Sequence, residues 1–281
     1  MFEKNLLAGK RILITGGGSG LGAAMGRRFV GLGAELIICG RRLELLEATA
    51  SQMRSELGAK VAVARCDIRD GAEVDAMMDA IWREAPIDVL INNAAATFIA
   101  QSEQMSFRAA DAILAPTLHG TMYCTLAAGK RWIETRHRGV VLSILSTSII
   151  TGRAFTVPSA MAKSAVLAMT RSLAVEWGPK GVRLVAIAPG AFPTAGASGQ
   201  LRPEGREPGW ASRNPLGRAG EHGELANLAS FLISDAAGYI NGEMVVQDGG
   251  AHLRSSGAED LLQWTDAQWE KHRANRTKGD G

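Results

Sequence analysis

The sequence predicts an α/β protein in which helices cover both faces of a parallel sheet. Short apolar runs alternate with helix-length amphipathic stretches along most of the 281 residues, and that alternation is typical of such sheets. A glycine-rich turn also joins the first apolar run to the first helix, as in doubly wound folds. The runs that predict strands are Arg11–Ile14, Leu36–Cys39, Val61–Ala64, Val89–Ile91, Val140–Ile144, Leu184–Ile187 and Met244–Val246.

The stretches between these runs have the apolar spacing of helices that pack on a sheet. Helix-breaking residues end several of these stretches; for example, Gly178-Pro179 directly follows Trp177. No linker, internal repeat or low-complexity tract divides the chain. The predicted helices are Ala23–Phe29, Leu43–Leu57, Ala72–Arg83, Thr121–Arg136, Ser159–Trp177 and Glu224–Ser234.

Composition excludes several classes of protein. The chain is 46% hydrophobic and 21% charged, with a net charge of +3, which is too small and too scattered to indicate nucleic-acid binding. No apolar run is long enough to span a bilayer, and the first ten residues lack a signal-peptide core. Cys39, Cys66 and Cys124 are far apart and predict reduced, buried thiols. We therefore expect a cytoplasmic protein.

The glycine-rich turn, Thr15–Gly22, predicts a nucleotide site. It follows a strand and opens a helix, which is the context that such a motif requires. Glycines permit the tight turn and the close approach of a pyrophosphate, and the helix N-terminus presents free N–H groups to it. The residues expected at the cofactor are Gly16, Gly18, Ser19, Gly20, Leu21 and Gly22.

Two arginines, Arg41 and Arg42, follow the second predicted strand. A site for NAD would carry a carboxylate near this point to bind the ribose 2′-hydroxyl. A guanidinium suits a 2′-phosphate instead. The alternative is a solvated basic turn, but the glycine loop one strand earlier favours NADP(H).

Polar segments follow the third and fourth strands at the edge where open α/β sheets bind ligands. The first contains Asp67 and Ile68, and the second is Asn92-Asn93-Ala94-Ala95. Each alone could be a turn closed by side-chain hydrogen bonds. Their shared edge favours contact with a ligand.

Together with Lys163, Pro189-Gly190 and Asp248-Gly249-Gly250, these motifs resemble the short-chain dehydrogenase/reductase family over about residues 8–252. The resemblance implies a single-domain, seven-stranded Rossmann sheet, a nicotinamide cofactor and a homotetramer. Asp67 would hold the adenine and Asn93 the ribose region. Further cofactor contacts would come from Ile68, Ala94, Ala95, Lys163, Pro189, Gly190, Phe192 and Thr194.

The same resemblance divides the chain. Residues 1–252 would form the cofactor-binding domain, with a substrate lid at about 193–220 that contains Arg202, Arg206, Arg213 and Arg218. Residues 253–281 would form a helical tail that carries Trp264 and Trp269. Apolar helices within 121–132 and 166–173 would be buried between subunits.

The departures from the family pattern concern the catalytic residues. Where the family has Tyr-x-x-x-Lys, this chain reads Ser159-Ala-Met-Ala-Lys163. Ser159 and Lys163 share one helix face and can meet one ligand. Ser146 keeps the family's serine position, whereas Thr117 replaces the usual asparagine.

Three segments also resemble the 2,4-dienoyl-CoA reductase branch, which likewise has a serine in place of the motif tyrosine: Val157–Lys163, Ile91–Ile99 and Glu224–Ala229. That branch has an asparagine before the Gly-Thr that matches Gly120-Thr121, and here the residue is His119. It also has a tyrosine on the loop after the fifth strand, where this chain has Ser148. Both differences leave the exact substrate open.

Chemistry explains why the tyrosine is dispensable. Reduction of a ketone creates an alkoxide that needs a proton donor. Hydride addition to a conjugated thioester instead places charge on the thioester oxygen, which needs hydrogen-bond donors. We therefore predict an NADPH-dependent reductase of dienoyl or enoyl thioesters, most simply CoA esters. Lys163 would hold the ribose, while Ser159, with Ser146 or His119, would donate to the oxygen.

Two alternatives remain from the sequence. One is a carbonyl reductase acting on 3-oxoacyl or other substrates, which Ser159 disfavours. The other is a non-catalytic, NADP-binding regulatory protein, against which the retained Lys163 and Ser146 argue. No metal site is expected, because no histidine and carboxylate share a ligand spacing.

Overall fold

A computed structural model describes residues 3–196, 201, 214–254 and 259–276. Its core is one sheet of seven strands in the order β3-β2-β1-β4-β5-β6-β7, with every pair parallel. The fold class predicted from the sequence is therefore confirmed. The strands are β1 (Arg11–Thr15), β2 (Glu35–Gly40), β3 (Val61–Arg65), β4 (Val89–Asn92), β5 (Gly139–Ile144), β6 (Val182–Pro189) and β7 (Met244–Gln247).

Helices lie on both faces of this sheet. The described helices are α1 (Gly20–Val30), α2 (Leu43–Leu57), α3 (Gly71–Glu84), α4 (Phe107–Leu114), α5 (Gly120–Thr135), the single turn α6 (Ser148–Thr151), α7 (Val157–Trp177), α8 (His222–Ile233) and α9 (Asp266–Arg276). A π-helical segment, Ala115–His119, joins α4 to α5. None of these helices is both long and apolar enough to cross a membrane.

Two layers of apolar side chains fill the space between sheet and helices. On one face, Ile14, Ile38 and Ile91 pack with residues of α1 and α8. On the other, Leu13, Leu90 and their neighbours pack with residues of α3 and α5. Both layers are buried because successive strand residues point to opposite faces, and a parallel sheet is covered on each.

The three cysteines are buried, unpaired thiols of the second layer, as the sequence predicted. Burial raises the pKa of Cys39 and Cys124, and it raises the pKa of Cys66 to about 11. The thiols are therefore protonated at neutral pH and act as small apolar groups.

Candidate active site

The carboxyl ends of β1, β4, β5 and β6 form the edge where the predicted site residues gather. Thr15, the last residue of β1, is buried, and its hydroxyl oxygen accepts hydrogen bonds from the backbone N–H groups of Asn93 and Ala94 at 3.1 Å each. The Asn93 amide donates to the carbonyl oxygens of Thr15, at 3.0 Å, and Gly16. The glycine loop and the turn after β4 are thus tied together. Sequence reasoning missed this role of Thr15.

The glycine loop is closely packed at Gly16 and Gly22 and exposed to solvent at Ser19. Gly16 has a φ of +67°, in the left-handed region that favours glycine. A Cβ added to Gly22 would lie 2.5 Å from the carbonyl oxygen of Gly16. Ser19 precedes α1 in extended conformation, is exposed, and its side chain does not cap the helix. The first turn of α1 can therefore offer its N–H groups to an anion.

Arg41 and Arg42 are exposed at the end of β2, with Arg42 directly before α2. Arg41 lies close enough to Asp67 to lower the pKa of its carboxyl group, although the main cause is hydrogen bonding from Arg69. The Arg69 guanidinium donates to both carboxylate oxygens, at 2.9 and 3.0 Å through Nε. Asp67 is thus held in an ion pair at the predicted adenine end, and the neighbouring Ile68 packs against Gly120.

Residues after β6 lie over the glycine loop. A Cβ added to Gly190 would lie 2.5 Å from that of Asp248, so the ends of β6 and β7 approach closely here. Thr194 lies beside Gly20, and its methyl carbon would be 3.2 Å from a Cβ added to that glycine. Phe192 packs against Gly220. Pro189, Gly190, Phe192 and Thr194 therefore surround the same edge as the glycine loop.

Most of the predicted lid lies outside the described residues, including Arg202, Arg206 and Arg213. Its two ends are described. The backbone N–H of Gly220 donates to Ala191 at 2.9 Å, and the His222 ring lies 2.7 Å from the carbonyl oxygen of Pro193. Arg218 forms an ion pair with Glu224 at 2.7 Å. That arginine is therefore engaged within the fold.

Lys163 is the most unusual ionisable group at this edge. It is 7% exposed, and its ammonium group donates to the carbonyl oxygen of Ile144 at 2.5 Å. Burial lowers the pKa of Lys163 to about 8. An ammonium group has three N–H donors, and the described residues accept only this one bond. Two donors therefore remain for a ligand.

Three serine hydroxyls accompany this lysine. Ser159 lies one turn before Lys163 on α7 and is half-buried, and its hydroxyl has no hydrogen-bond partner among the described residues. Ser146 follows β5, two residues after Ile144. Its oxygen accepts from the N–H of Ser148 at 3.3 Å and from the Ser148 hydroxyl at 3.1 Å.

His119, the other expected donor to the thioester oxygen, stacks on an aromatic ring. It is exposed at the end of the π-helical segment and stacks on Tyr123 with ring centroids 6.3 Å apart. Tyr123 in turn lies near Gly71 at the start of α3. Thr117, which replaces the family's asparagine, is fully buried and bonds both the N–H and the carbonyl oxygen of Ala96, at 3.0 and 3.2 Å. It fixes the loop after β4.

Comparison with known proteins agrees with this geometry. A family model described as enoyl-(acyl carrier protein) reductase matches residues 16–252. This chain belongs to the short-chain dehydrogenase/reductase family. The family's Rossmann sheet and its nicotinamide cofactor are therefore those of this chain, which is an oxidoreductase by family.

Individual relatives are more specific. An uncharacterised oxidoreductase of Caenorhabditis elegans is 41% identical over 94% of this chain and 87% of its own length. A probable 2,4-dienoyl-CoA reductase of Bacillus subtilis, named as producing (2E)-enoyl-CoA, is 40% identical over 87% of this chain and 97% of its own. A Bacillus anthracis short-chain dehydrogenase of known structure is 38% identical, covers 88% of this chain and 98% of its own, and has a TM-score of 0.79.

Proposed function

We propose that the protein reduces conjugated acyl thioesters with NADPH, as a 2,4-dienoyl-CoA or 2-enoyl-CoA reductase. The observation that carries this proposal is the absence of a phenol at the site. The chain has two tyrosines: Tyr239 is fully exposed before β7, and Tyr123 stacks on His119 near α3. A ketone reductase needs an acid beside the nascent alkoxide. A serine hydroxyl donates a hydrogen bond but is too weak an acid for that step.

The residues at the edge of the sheet fit a nicotinamide dinucleotide. The uncapped start of α1 and the glycine loop suit the pyrophosphate, Arg41 and Arg42 suit a 2′-phosphate, and Lys163 has two N–H donors for the ribose. When bound, the cofactor supplies a hydride to carbon. Every other requirement of the reaction falls on side chains of this chain or on water.

Those side chains would stabilise the charge that develops on the thioester oxygen. Ser159 and Ser146 donate hydrogen bonds to it, and the Lys163 cation lies behind them. The proton goes to carbon and comes from water. Since the donors gather at the thioester end, water held there would protonate the α-carbon, and a dienoyl ester would yield the 3-enoyl product. Among relatives, the Bacillus subtilis protein is named as (2E)-enoyl-CoA-producing and one from Caenorhabditis elegans as (3E)-enoyl-CoA-producing.

The test is NADPH oxidation over a panel of 2,4-dienoyl-, 2-enoyl- and 3-oxoacyl-CoA esters, with product analysis. We expect turnover of a dienoyl or enoyl ester and a 3-enoyl product from the dienoyl ester. Turnover of the 3-oxoacyl ester alone would show that the chemistry is carbonyl reduction. Tight NADPH binding without turnover of any ester would indicate a regulatory protein.

Variants at position 159 sharpen this test. Ser159→Ala removes one donor to a developing charge, which costs on the order of 100-fold in kcat. Lys163→Ala removes a charge and a ribose contact together and should cost more. Ser159→Tyr restores the general family motif but places a ring where the thioester should lie. It should impair dienoyl reduction, and a trace of ketone reduction would be consistent with its phenol.

The preference for NADPH is tested separately at Arg41. A guanidinium on a phosphate is worth about 1.5–3 kcal/mol, so Arg41→Asp should weaken NADPH binding by on the order of 10- to 100-fold and leave NADH binding nearly unchanged. Lys180→Asp makes the same charge change at an exposed position before β6, at the opposite edge of the sheet, and serves as the control. A wild-type protein that binds NADH as tightly as NADPH would refute the assignment.

We also propose a homotetramer in the cytoplasm. Exposed apolar side chains on α5 and α7 support association, and the buried free thiols suit a reducing compartment.

A further inference from the structure

The hydrogen bonds after β5 distinguish the two hydroxyls of Ser146 and Ser148. Ser148 is only 9% exposed, and within the described residues its hydroxyl has no hydrogen-bond partner other than the Ser146 hydroxyl oxygen, at 3.1 Å. A buried hydroxyl that does not donate a hydrogen bond is costly. The Ser148 proton therefore points to Ser146.

The Ser146 oxygen then has two donors directed at it. The second is the backbone N–H of Ser148, at 3.3 Å, and the direction of this N–H is fixed by the backbone. A hydroxyl oxygen has two lone pairs and one proton. With both lone pairs engaged, the Ser146 proton is directed away from Ser148. No described residue accepts it, and Ser146 is half-exposed at the edge of the sheet.

We propose that Ser148 is a positioning residue that fixes the Ser146 hydroxyl as a donor toward the substrate's thioester oxygen. This inference rests on the proposed function. Lys163 lies on the same side of the site, since its ammonium group bonds the carbonyl oxygen of Ile144, two residues before Ser146. Ser148 acts through Ser146 because its short side chain is already engaged there. The free rotation of one hydroxyl is thereby replaced by a single orientation, as a preorganised donor requires.

A double-mutant cycle measures this coupling. Ser146→Ala, Ser148→Ala and the double variant are compared with the wild type by kcat and KM for a dienoyl-CoA ester at saturating NADPH. Ser146→Ala should lower kcat by on the order of 100-fold. Ser148→Ala should lower kcat by on the order of 10-fold, with KM and NADPH binding within about twofold, because only the orientation of one donor is lost. The double variant should match Ser146→Ala within about twofold.

Two further variants separate positioning from structural damage. Thr147→Ala removes the neighbouring hydroxyl, which has no hydrogen bond within the described structure, and should keep wild-type kcat. Ser148→Cys keeps a weak donor and should fall between Ser148→Ala and the wild type. It also replaces Ser148→Ala in the cycle if that variant does not fold.

Multiplicative losses in the double variant, or a Ser148→Ala enzyme with wild-type kcat, would overturn the proposal. The activity of the wild type tests the proposed function before any variant is measured. A wild type that is active only on a 3-oxoacyl ester would refute dienoyl reduction. The double-mutant cycle would then be run on the 3-oxoacyl ester, where it still tests the role of Ser148. A wild type that turns over no ester would overturn both.

Discussion

At the scale of single residues, Lys163 shows how packing changes the chemistry that a sequence indicates. Its place one turn after Ser159 could be predicted from the four-residue spacing. Its pKa could not be predicted from the sequence, because the pKa is set by burial. No carboxylate of the described residues is among the groups that shift it. A buried cation with one hydrogen bond is costly for the free protein. The same cation is available to a ligand.

We predict that Lys163 makes the free protein less stable at neutral pH than at high pH. Its pKa is about 8 in the folded protein, against 10.5 for the unfolded chain. Between these values the unfolded chain binds more protons, so the free energy of unfolding rises with pH from about 8 to 10.5. The full difference amounts to about 3 kcal/mol.

Denaturant unfolding of wild type and Lys163→Met across pH 7 to 10.5 checks this prediction. Lys163→Met should be the more stable protein at pH 7, and its advantage should shrink as pH rises through 8. Lys180→Met, at an exposed lysine, provides the control. A constant difference between Lys163→Met and wild type over this range would contradict the prediction. In the same range, NADPH binding should weaken above pH 8 as Lys163 loses its charge.

At the scale of elements, periodicity predicted most of the fold. The seven apolar runs fall on the seven strands, and the helix expected at Leu43–Leu57 has those bounds. The helix α4, Phe107–Leu114, was missed. Its eight residues are short for a periodicity argument, and Pro116 follows closely in a π-helical segment.

That segment also explains why His119 could not be placed from the sequence. A π-helical turn holds more residues than an α-helical one, so side chains beyond it are rotated relative to an uninterrupted helix. His119 consequently stacks on Tyr123, and its predicted contact with the thioester oxygen stays a prediction. Of the other three expected catalytic residues, Ser159 and Lys163 lie on the regular helix α7, and Ser146 lies on the loop directly after the regular strand β5.

The loop between α6 and α7 carries a strained residue beside the site. Phe155 has a φ of +66°, where a side chain costs about 1–2 kcal/mol. The residue is 54% exposed, and its carbonyl oxygen accepts a hydrogen bond from the N–H of Ala100 in the loop after β4 at 3.0 Å. Ile150, Val157 and Met161 nearby in the chain are also exposed. Strain and exposed apolar surface together indicate a binding role.

We predict that Phe155 contacts the acyl chain of the substrate. Phe155→Asn removes the ring, and asparagine tolerates the left-handed conformation. KM for a long-chain ester should therefore rise by on the order of 10-fold, with kcat unchanged and thermal stability not reduced. KM for a short-chain ester should change little. Tyr239→Asn removes a fully exposed aromatic ring before β7 and should leave both KM values unchanged. Equal effects of Phe155→Asn on the two esters would refute the contact.

At the scale of the whole molecule, the site exists because parallel strands end at one edge. Residues as distant as Thr15, Asn93, Lys163 and Thr194 come together there. The sequence could predict this gathering, since it follows from strand order and direction. It could not predict which hydrogen bonds form within it. Whether the hydrogen bonds at Thr15 and Ser146 form depends on the exact positions of their side chains, which strand order and direction do not determine.

The fold of the single chain does not determine how subunits associate. The sequence pointed to helix faces within 121–132 and 166–173, but Trp132 and Val166 are buried in the chain's own core. Away from the site, α5 and α7 expose the apolar residues Leu126, at 44%, and Val175, at 80%. These are the positions through which we expect a neighbouring subunit to pack.

Sedimentation velocity at micromolar concentration should therefore show a multimer, and we predict a tetramer. Leu126→Glu and Val175→Glu place a charge in the apolar contact and should each weaken association by on the order of 100-fold, giving smaller species with unchanged circular dichroism. Leu57→Glu makes the same change at the end of α2, where the side chain is 42% exposed, and should leave the multimer intact. A wild-type monomer at this concentration would show that the exposed faces of α5 and α7 serve another purpose.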